Sequence, residues 1–345
     1  MTEIQSKTVL VTGASGFIGM HCVLQLLEQG YKVRGTLRNL DREKQLREVF
    51  ARHTQALDHL EFVQTDLLKD DGWGKALSDC EYVLHVASPF PSEMPENEDN
   101  LIRPAVDGTL RVLKAASTAH VKRVVLTSSV AAIQGGHSEK VGEFNENDWS
   151  DLTANIDAYA KSKTLAEQVA WGYVSNQDAT QSLELAVINP SFVMGPLLDG
   201  TALGTSAKTI KDFLSGAYPG TARISMTIVD VRDVAAAHLA AMTNPMAKGN
   251  RYICASELTW LTDVAKLLNQ NFAKRGYKVS TLQFPDWFVK FYAFFDKSVK
   301  GEVPNLGREL SVSNKKIKDE LGIQFRSAKE AIIAMAESLI HLGVL

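Results

Sequence analysis

The chain has 345 residues, 45% of them hydrophobic and 22% charged, with a formal net charge of −3. That hydrophobic share excludes a disordered chain, and the dispersed Lys and Arg leave no electrostatic footprint for nucleic acid or an anionic membrane. The expected partner is a small neutral or anionic molecule.

Cys22, Cys80 and Cys254 are odd in number, far apart and not at metal-ligand spacing, so neither a disulfide framework nor a metal site is expected. The start "MTEIQSK" has no basic segment followed by an apolar one, and no apolar run reaches membrane-spanning length. The cytoplasm is the expected address.

The first predicted strand, "TVLVTG", runs into Gly13, Gly16 and Gly19, which open a helix ending near Gly30. A strand-to-helix turn presents backbone N–H groups at the positive end of a helix dipole, and glycine lets a pyrophosphate approach them. The spacing is GxxGxxG, so the strand before and the helix after carry the assignment more than the pattern does. The second strand, "YKVRGT", ends on Thr36, and Thr36 and Leu37 stand where an acid for the ribose of NAD would be. Arg38 comes next, with Arg42 and Lys44 behind it. A guanidinium pairs bidentately with a phosphate, which favours NADP over NAD.

Further runs, "LEFVQTD", "EYVLHVA", "KRVVLTSS" and "LELAVINP", alternate with helix-like stretches up to Pro190. This is the rhythm of a parallel sheet with helices on both faces, an α/β fold of the Rossmann-type, doubly wound kind. Ser128 and Ser129 close one run, and ligands of such sheets lie outside the carboxyl ends of the strands. In the next helix Tyr159 and Lys163 are four apart and share a face. An ammonium one turn away should lower the pKa of the phenol, letting Tyr159 exchange a proton with a carbonyl or alcohol oxygen. Ser129 would hydrogen-bond the same oxygen as charge develops, and Lys163 could also hold the nicotinamide ribose.

After Pro190 the rhythm weakens, and "ISMTIVDVRDVAAAHLAAM" suggests one more strand and helix. The expected division is an NADP-binding domain over residues 1–190 plus 224–243, and a smaller C-terminal α/β substrate lobe over 191–223 and 244–345. Asp233 is expected to cap the helix in that segment. The aromatics of "FPDWFVKFYAFF" cover more than one helical face, which suggests packing inside the second lobe, with a membrane-surface or subunit contact as the alternative. His85 and His137 lack an acidic partner at a revealing spacing and are expected as core or surface histidines.

"TGASGFIG", "VLHVASPF", "VVLTSSVAA", "YAKSK" and "VINPSFVMGP", in this order, resemble the extended short-chain dehydrogenase/reductase family. Within it the chain resembles the branch of dihydroflavonol reductases, cinnamoyl-CoA reductases and NADPH-dependent aldehyde and methylglyoxal reductases. The resemblance implies NADPH/NADP+ as cofactor and a catalytic trio of Ser129, Tyr159 and Lys163. It implies that Gly13, Gly16, Phe17, Ile18 and Gly19 cradle the pyrophosphate and that Arg38, helped by Lys44, meets the 2′-phosphate. Asp66 and Leu67 would flank the adenine, and Val86, Ala87 and Ser88 would line the cofactor channel. Pro190 and Val193 would border the nicotinamide, and Ser88, Phe90, Phe192 and Met226 would line the substrate pocket. Family members occur as monomers and homodimers.

Two positions depart from the family. Asp107 stands where many members carry an asparagine that steadies a relay water, so a four-residue relay is not claimed. Gln134 replaces the asparagine that holds a flavonoid ring hydroxyl, which argues against a flavonoid substrate. The favoured function is an NADPH-dependent carbonyl reductase acting on aldehydes or ketones with Tyr159 as general acid. The alternatives are an NAD-dependent sugar-nucleotide epimerase or dehydratase, and a non-catalytic NADP-sensing protein.

Overall fold

Strands β1 (Thr8–Thr12), β2 (Lys32–Leu37), β3 (Leu60–Gln64), β4 (Cys80–His85), β5 (Arg123–Thr127) and β6 (Glu184–Pro190) coincide with the six apolar runs of the sequence. β7 (Phe192–Met194), β8 (Ser225–Asp230), β9 (Asn250–Cys254) and β10 (Glu257–Trp260) follow. The helices are α1 (Phe17–Glu28), α2 (Glu43–Ala51), α3 (Trp73–Leu77), α4 (Asp99–Thr118), α5 (Ala158–Ser175) and α6 (Thr205–Leu214). They continue with α7 (Val231–Thr243), α8 (Leu261–Phe272), α9 (Asp286–Tyr292), α10 (Lys297–Glu302), α11 (Lys315–Leu321) and α12 (Ala328–His341). The computed structural model describes residues 7–88, 97–137, 142–178, 183–201 and 203–345.

Seven strands form one parallel sheet in the order β3-β2-β1-β4-β5-β6-β9. Successive residues of β1 feed opposite faces: Val9 and Val11 join a core with α1 and α7, while Leu10 joins a core with α3 and α4. Burial on both faces is why β1 reads as an unbroken apolar run, whereas the edge strand β3 alternates buried with exposed residues. The chain order reverses between β1 and β4, and the crevice at their carboxyl ends is where such sheets receive ligands.

The second lobe is built on a three-stranded sheet, β10-β8-β7, packed against α6, α8 and α12. Segment 224–243 divides between the two layers. Its strand β8 pairs with β7 and β10, while its helix α7 packs on α1 against the large sheet. Conversely β9, which falls in 244–345, pairs with β6 and completes the large sheet. Both are short strands, and which sheet receives them is decided by tertiary pairing rather than propensity.

The cap of α7 is Asp230, whose side chain accepts from Arg232 N at 2.9 Å, not Asp233 as expected. Asp233 instead accepts from the backbone of Arg326 at 2.7 Å and pairs with its guanidinium. The aromatic stretch also departs from expectation. Val289 and Ala293 supply its buried stripe, whereas Trp287 and Phe294 are 70% and 85% exposed. A seven-residue helix has room for only that narrow stripe, so Phe291, Tyr292 and Phe295 also face outward, while Phe284 and Phe288 are half-buried against each other.

Candidate active site

Gly13, at φ +67°, turns the chain out of β1, and a Cβ there would lie 3.0 Å from Ala87 Cα. A Cβ on Gly19 would lie 2.2 Å from the Gly13 carbonyl oxygen. The turn is thus held against the segment after β4 as tightly as backbone permits. Three hydrogen bonds fix it: Gly13 N donates to Thr36 Oγ1 at 3.3 Å, Ala87 N donates to Thr12 Oγ1 at 3.0 Å, and that hydroxyl meets His85 Nδ1 at 2.8 Å. Thr36 therefore fills the place of the missing ribose acid by buttressing the turn, and His85 is a buried core histidine.

Gly16 caps α1 with extended backbone and no side-chain cap, and the first turn of α1 holds no acid. The first-turn amides of a helix, here those of Phe17, Ile18 and Gly19, have no intrahelical acceptor and carry the positive end of the dipole. At the end of β6, Asn189 Oδ1 and Ser191 Oγ are buried polar atoms without a hydrogen-bond partner among the described residues. An uncapped glycine turn after β1, with orphaned polar atoms at the carboxyl end of β6 in the same sheet, fits a dinucleotide better than a closed core.

Arg38 and Lys44 stand exposed after β2, free of the core. Arg42 is engaged elsewhere, its Nη2 3.0 Å from Asp199 Oδ2 and 2.8 Å from Thr201 Oγ1. Asp66 turns the chain after β3, accepting from Leu68 N at 3.0 Å, and Leu67 packs against Gly108 of α4. Val86, Ala87 and Ser88 are half-buried beyond β4. Pro190 ends β6, Val193 leans on the large core, and Phe192 and Met226 lean on the core of the lobe. Phe90 lies outside the described residues. Asp107 is exposed on α4.

Ser129 leaves β5 in extended backbone, its Oγ accepting from Ala131 N at 3.1 Å and hydrogen-bonding the Tyr159 phenol. Asp157 caps α5, accepting from Ala160 N at 2.7 Å, and so sets Tyr159 in the first turn. Lys163 lies one turn on, its Nζ donating to Thr127 O at 3.4 Å and standing 5.9 Å from the Tyr159 ring centre. The three predicted side chains are thus gathered at one strand end.

The electrostatics correct one expectation. Burial raises the Tyr159 phenol above its ordinary value, outweighing the hydrogen bond from Ser129, while the negative charge of Asp157 raises it further. Burial also lowers the Lys163 ammonium to about 8, against the opposing pull of Glu167. Loss of water is the leading cause at both groups, so the phenol stays protonated. A protonated phenol is a proton donor, which suits reduction of a carbonyl rather than oxidation of an alcohol.

Sequence patterns missed what stands behind this trio. Glu167, fully buried on α5, accepts from Ser128 Oγ at 2.6 Å and Asn189 Nδ2 at 2.8 Å, and pairs with Arg251 of β9. The four-residue spacing from Lys163 was a visible signal for Glu167. Nothing in the sequence pointed to Arg251.

The sheet order, the glycine turn and the Ser–Tyr–Lys group define an extended short-chain dehydrogenase/reductase. The chain belongs to the NAD dependent epimerase/dehydratase family, whose model matches residues 9–255. It is 34% identical to cinnamoyl-CoA reductase 1 of Petunia hybrida over 349 residues, 99% of this chain and 95% of that protein. It is 33% identical to an anthocyanidin reductase of Vitis vinifera, over 81% of this chain and 84% of that one. Among solved structures, yeast methylglyoxal/isovaleraldehyde reductase Gre2 complexed with NADPH superposes with a TM-score of 0.79 at 30% identity, covering 98% of this chain and 100% of that one. Gre2 of Candida albicans in complex with NADPH gives 0.80 at 27% identity, covering 97% and 99%.

Proposed function

We propose that the protein is an NADPH-dependent carbonyl reductase that converts aldehydes or ketones to alcohols. The observation that carries this reading is Tyr159, held protonated by burial, hydrogen-bonded to Ser129 and one helical turn from the Lys163 ammonium. The similarity to reductases, two of them solved with NADPH, supports it.

Backbone amides at the start of α1 and the glycines before it would hold the pyrophosphate, with Arg38 and Lys44 toward the 2′-phosphate. When bound, NADPH supplies a hydride to the carbonyl carbon. The chain's own residues handle the oxygen. The Ser129 hydroxyl donates a hydrogen bond to it as negative charge grows, and the Tyr159 phenol delivers the proton. The Lys163 ammonium then stabilises the phenolate left behind until a solvent proton restores it. Phe192 and Met226, half-buried on the lobe side, offer an apolar wall, so a small or medium organic carbonyl suits the cleft.

The test is NADPH consumption with small aldehydes, α-dicarbonyls, β-keto esters and an aromatic acyl-CoA thioester, for wild type and Tyr159→Phe. Net NADPH oxidation that falls by about 10²- to 10⁴-fold in the variant is the expected result. Turnover of a nucleotide sugar without net change of cofactor would replace this reading with an epimerase or dehydratase.

A further inference from the structure

Tyr159, Lys163 and Glu167 recur every four residues along α5, so Glu167 lies below the reactive pair on the same helical face. A carboxylate with no access to water is costly unless it is surrounded by donors. Here the donors come from several segments. Ser128 Oγ and Asn189 Nδ2 donate to Oε2 at 2.6 and 2.8 Å, and Arg251 Nη2 donates to the same oxygen at 3.1 Å. Arg251 Nε stands 2.7 Å from Oε1 as an ion pair rather than a well-aimed hydrogen bond, and Trp171 Nε1 donates to Oε1 at 3.3 Å. Arg251 is itself fixed, stacked 3.8 Å from the Trp149 ring centre and donating to Asp148 O at 2.9 Å.

The same amide that meets Glu167, Asn189 Nδ2, also donates to the Ser129 carbonyl at 3.1 Å. One anion therefore joins α5 to the ends of β5 and β6, the two strand ends that present Ser129 and Pro190. The other charged or titratable groups around Lys163 do not duplicate it. His85, from β4, is kept neutral by burial at about pH 3 for its midpoint. Asp157, at the start of α5, acts on Tyr159, and Glu98, just before α4, is taken by Lys161 at 2.7 Å. Arg251, from β9, faces Glu167.

We propose that Glu167 is a positioning residue of this site, tying Ser128 and Asn189, and through them the Ser129 and Pro190 main chain, to helix α5 while facing the Lys163 ammonium with a fixed negative charge. The proposal rests on the reductase reading, and one of its readouts does not require turnover.

The full-length wild type is compared with Glu167→Asp, Glu167→Gln and the double variant Glu167→Gln/Arg251→Met. The single Gln change strands a buried guanidinium and can unfold the chain, whereas the double change removes both charges, which proteins often tolerate. Two measurements are made across pH: steady-state kinetics, giving kcat and KM for NADPH with methylglyoxal as probe, and the NMR titration of lysine side chains labelled at the ε-carbon, with Lys163 assigned through Lys163→Met. In the folded Gln-containing variants, the Lys163 midpoint and the alkaline limb of kcat should move together to lower pH by about one unit. KM for NADPH should stay within about twofold, and Glu167→Asp should restore most of the wild-type profile. A folded double variant whose Lys163 titration and kcat profile match the wild type would overturn the proposal. Should the wild type consume no NADPH at all, the reductase reading falls, while the lysine titration still decides whether Glu167 acts on Lys163.

Discussion

The Lys163 ammonium stands 5.9 Å from the centre of the Tyr159 ring and is tied to β5 by its hydrogen bond to the Thr127 carbonyl. Burial lowers it from 10.5 to about 8. The proposed carbonyl reduction uses this group in its charged form, so kcat should fall as pH rises through about 8. Stability should move the other way. Between pH 8 and 10.5 the unfolded chain binds the proton more tightly than the native one, so stability rises with pH in that window by up to about 1.4 kcal/mol per unit. Lys163→Met should lower kcat by about 10²-fold or more and abolish that rise. Denaturant midpoints at pH 8 and pH 10 that differ equally in wild type and variant would refute the assignment.

The exposure of Arg38 and the engagement of Arg42 by Asp199 predict different outcomes for two neighbouring arginines. Arg38→Ala should weaken the preference for NADPH over NADH by about 10- to 100-fold, the worth of one or two charge-assisted hydrogen bonds. Arg42→Ala should change that ratio far less, because its guanidinium is committed to the 199–201 segment. Steady-state KM values for both cofactors decide it. Equal losses at both positions would mean that the basic loop acts through general charge rather than through one guanidinium.

The sheet and the trio were legible because their signals are local. An unbroken apolar run such as that of β1 announces a strand buried on both faces, and a Tyr and Lys four apart share a helical face wherever the helix lies. The division of 224–243 was not legible, since the partner of β8 is chosen by the second lobe and that of β9 by β6, both far away in the chain. Nor was the acidity of Tyr159. Sequence spacing gives the distance of a cation but not the loss of water, and here burial is the leading cause that raises the phenol. The Glu167–Arg251 pair joins residues 84 positions apart, a separation no short motif spans.

Three imidazoles are buried and uncharged: burial holds His85 down to about 3, and His21 and His238 to about 4. Each has a native midpoint below the unfolded value of 6.5, so protons bind the unfolded chain first as pH falls. Stability should therefore be flat with respect to these groups above pH 6.5 and decline between 6.5 and about 4. The slope is on the order of 1.4 kcal/mol per pH unit for each histidine. His238→Gln removes the bonds to Thr127 and Val234 and lowers stability at every pH. Its informative effect is a shallower decline, by about a third, in urea midpoints measured from pH 6.5 to 4.5. An unchanged slope would show that His238 is not among the groups that charge on unfolding.

Two of the opening glycines answer to different constraints, and alanine substitution separates them. At Gly19 a Cβ would lie 2.2 Å from the oxygen and 2.9 Å from the carbon of the Gly13 carbonyl, both backbone atoms that cannot swing aside. At Gly16 the same oxygen would be 3.3 Å away, a contact that a small shift relieves. Gly19→Ala should push the first turn of α1 away from β1, at a cost of about 1–3 kcal/mol, and splay the amides proposed to hold the pyrophosphate. NADPH affinity, read by quenching of protein fluorescence, should drop more than about tenfold in Gly19→Ala and by much less in Gly16→Ala. If Gly19→Ala melts lower yet binds NADPH like the wild type, the turn is a packing device and the dinucleotide is held elsewhere.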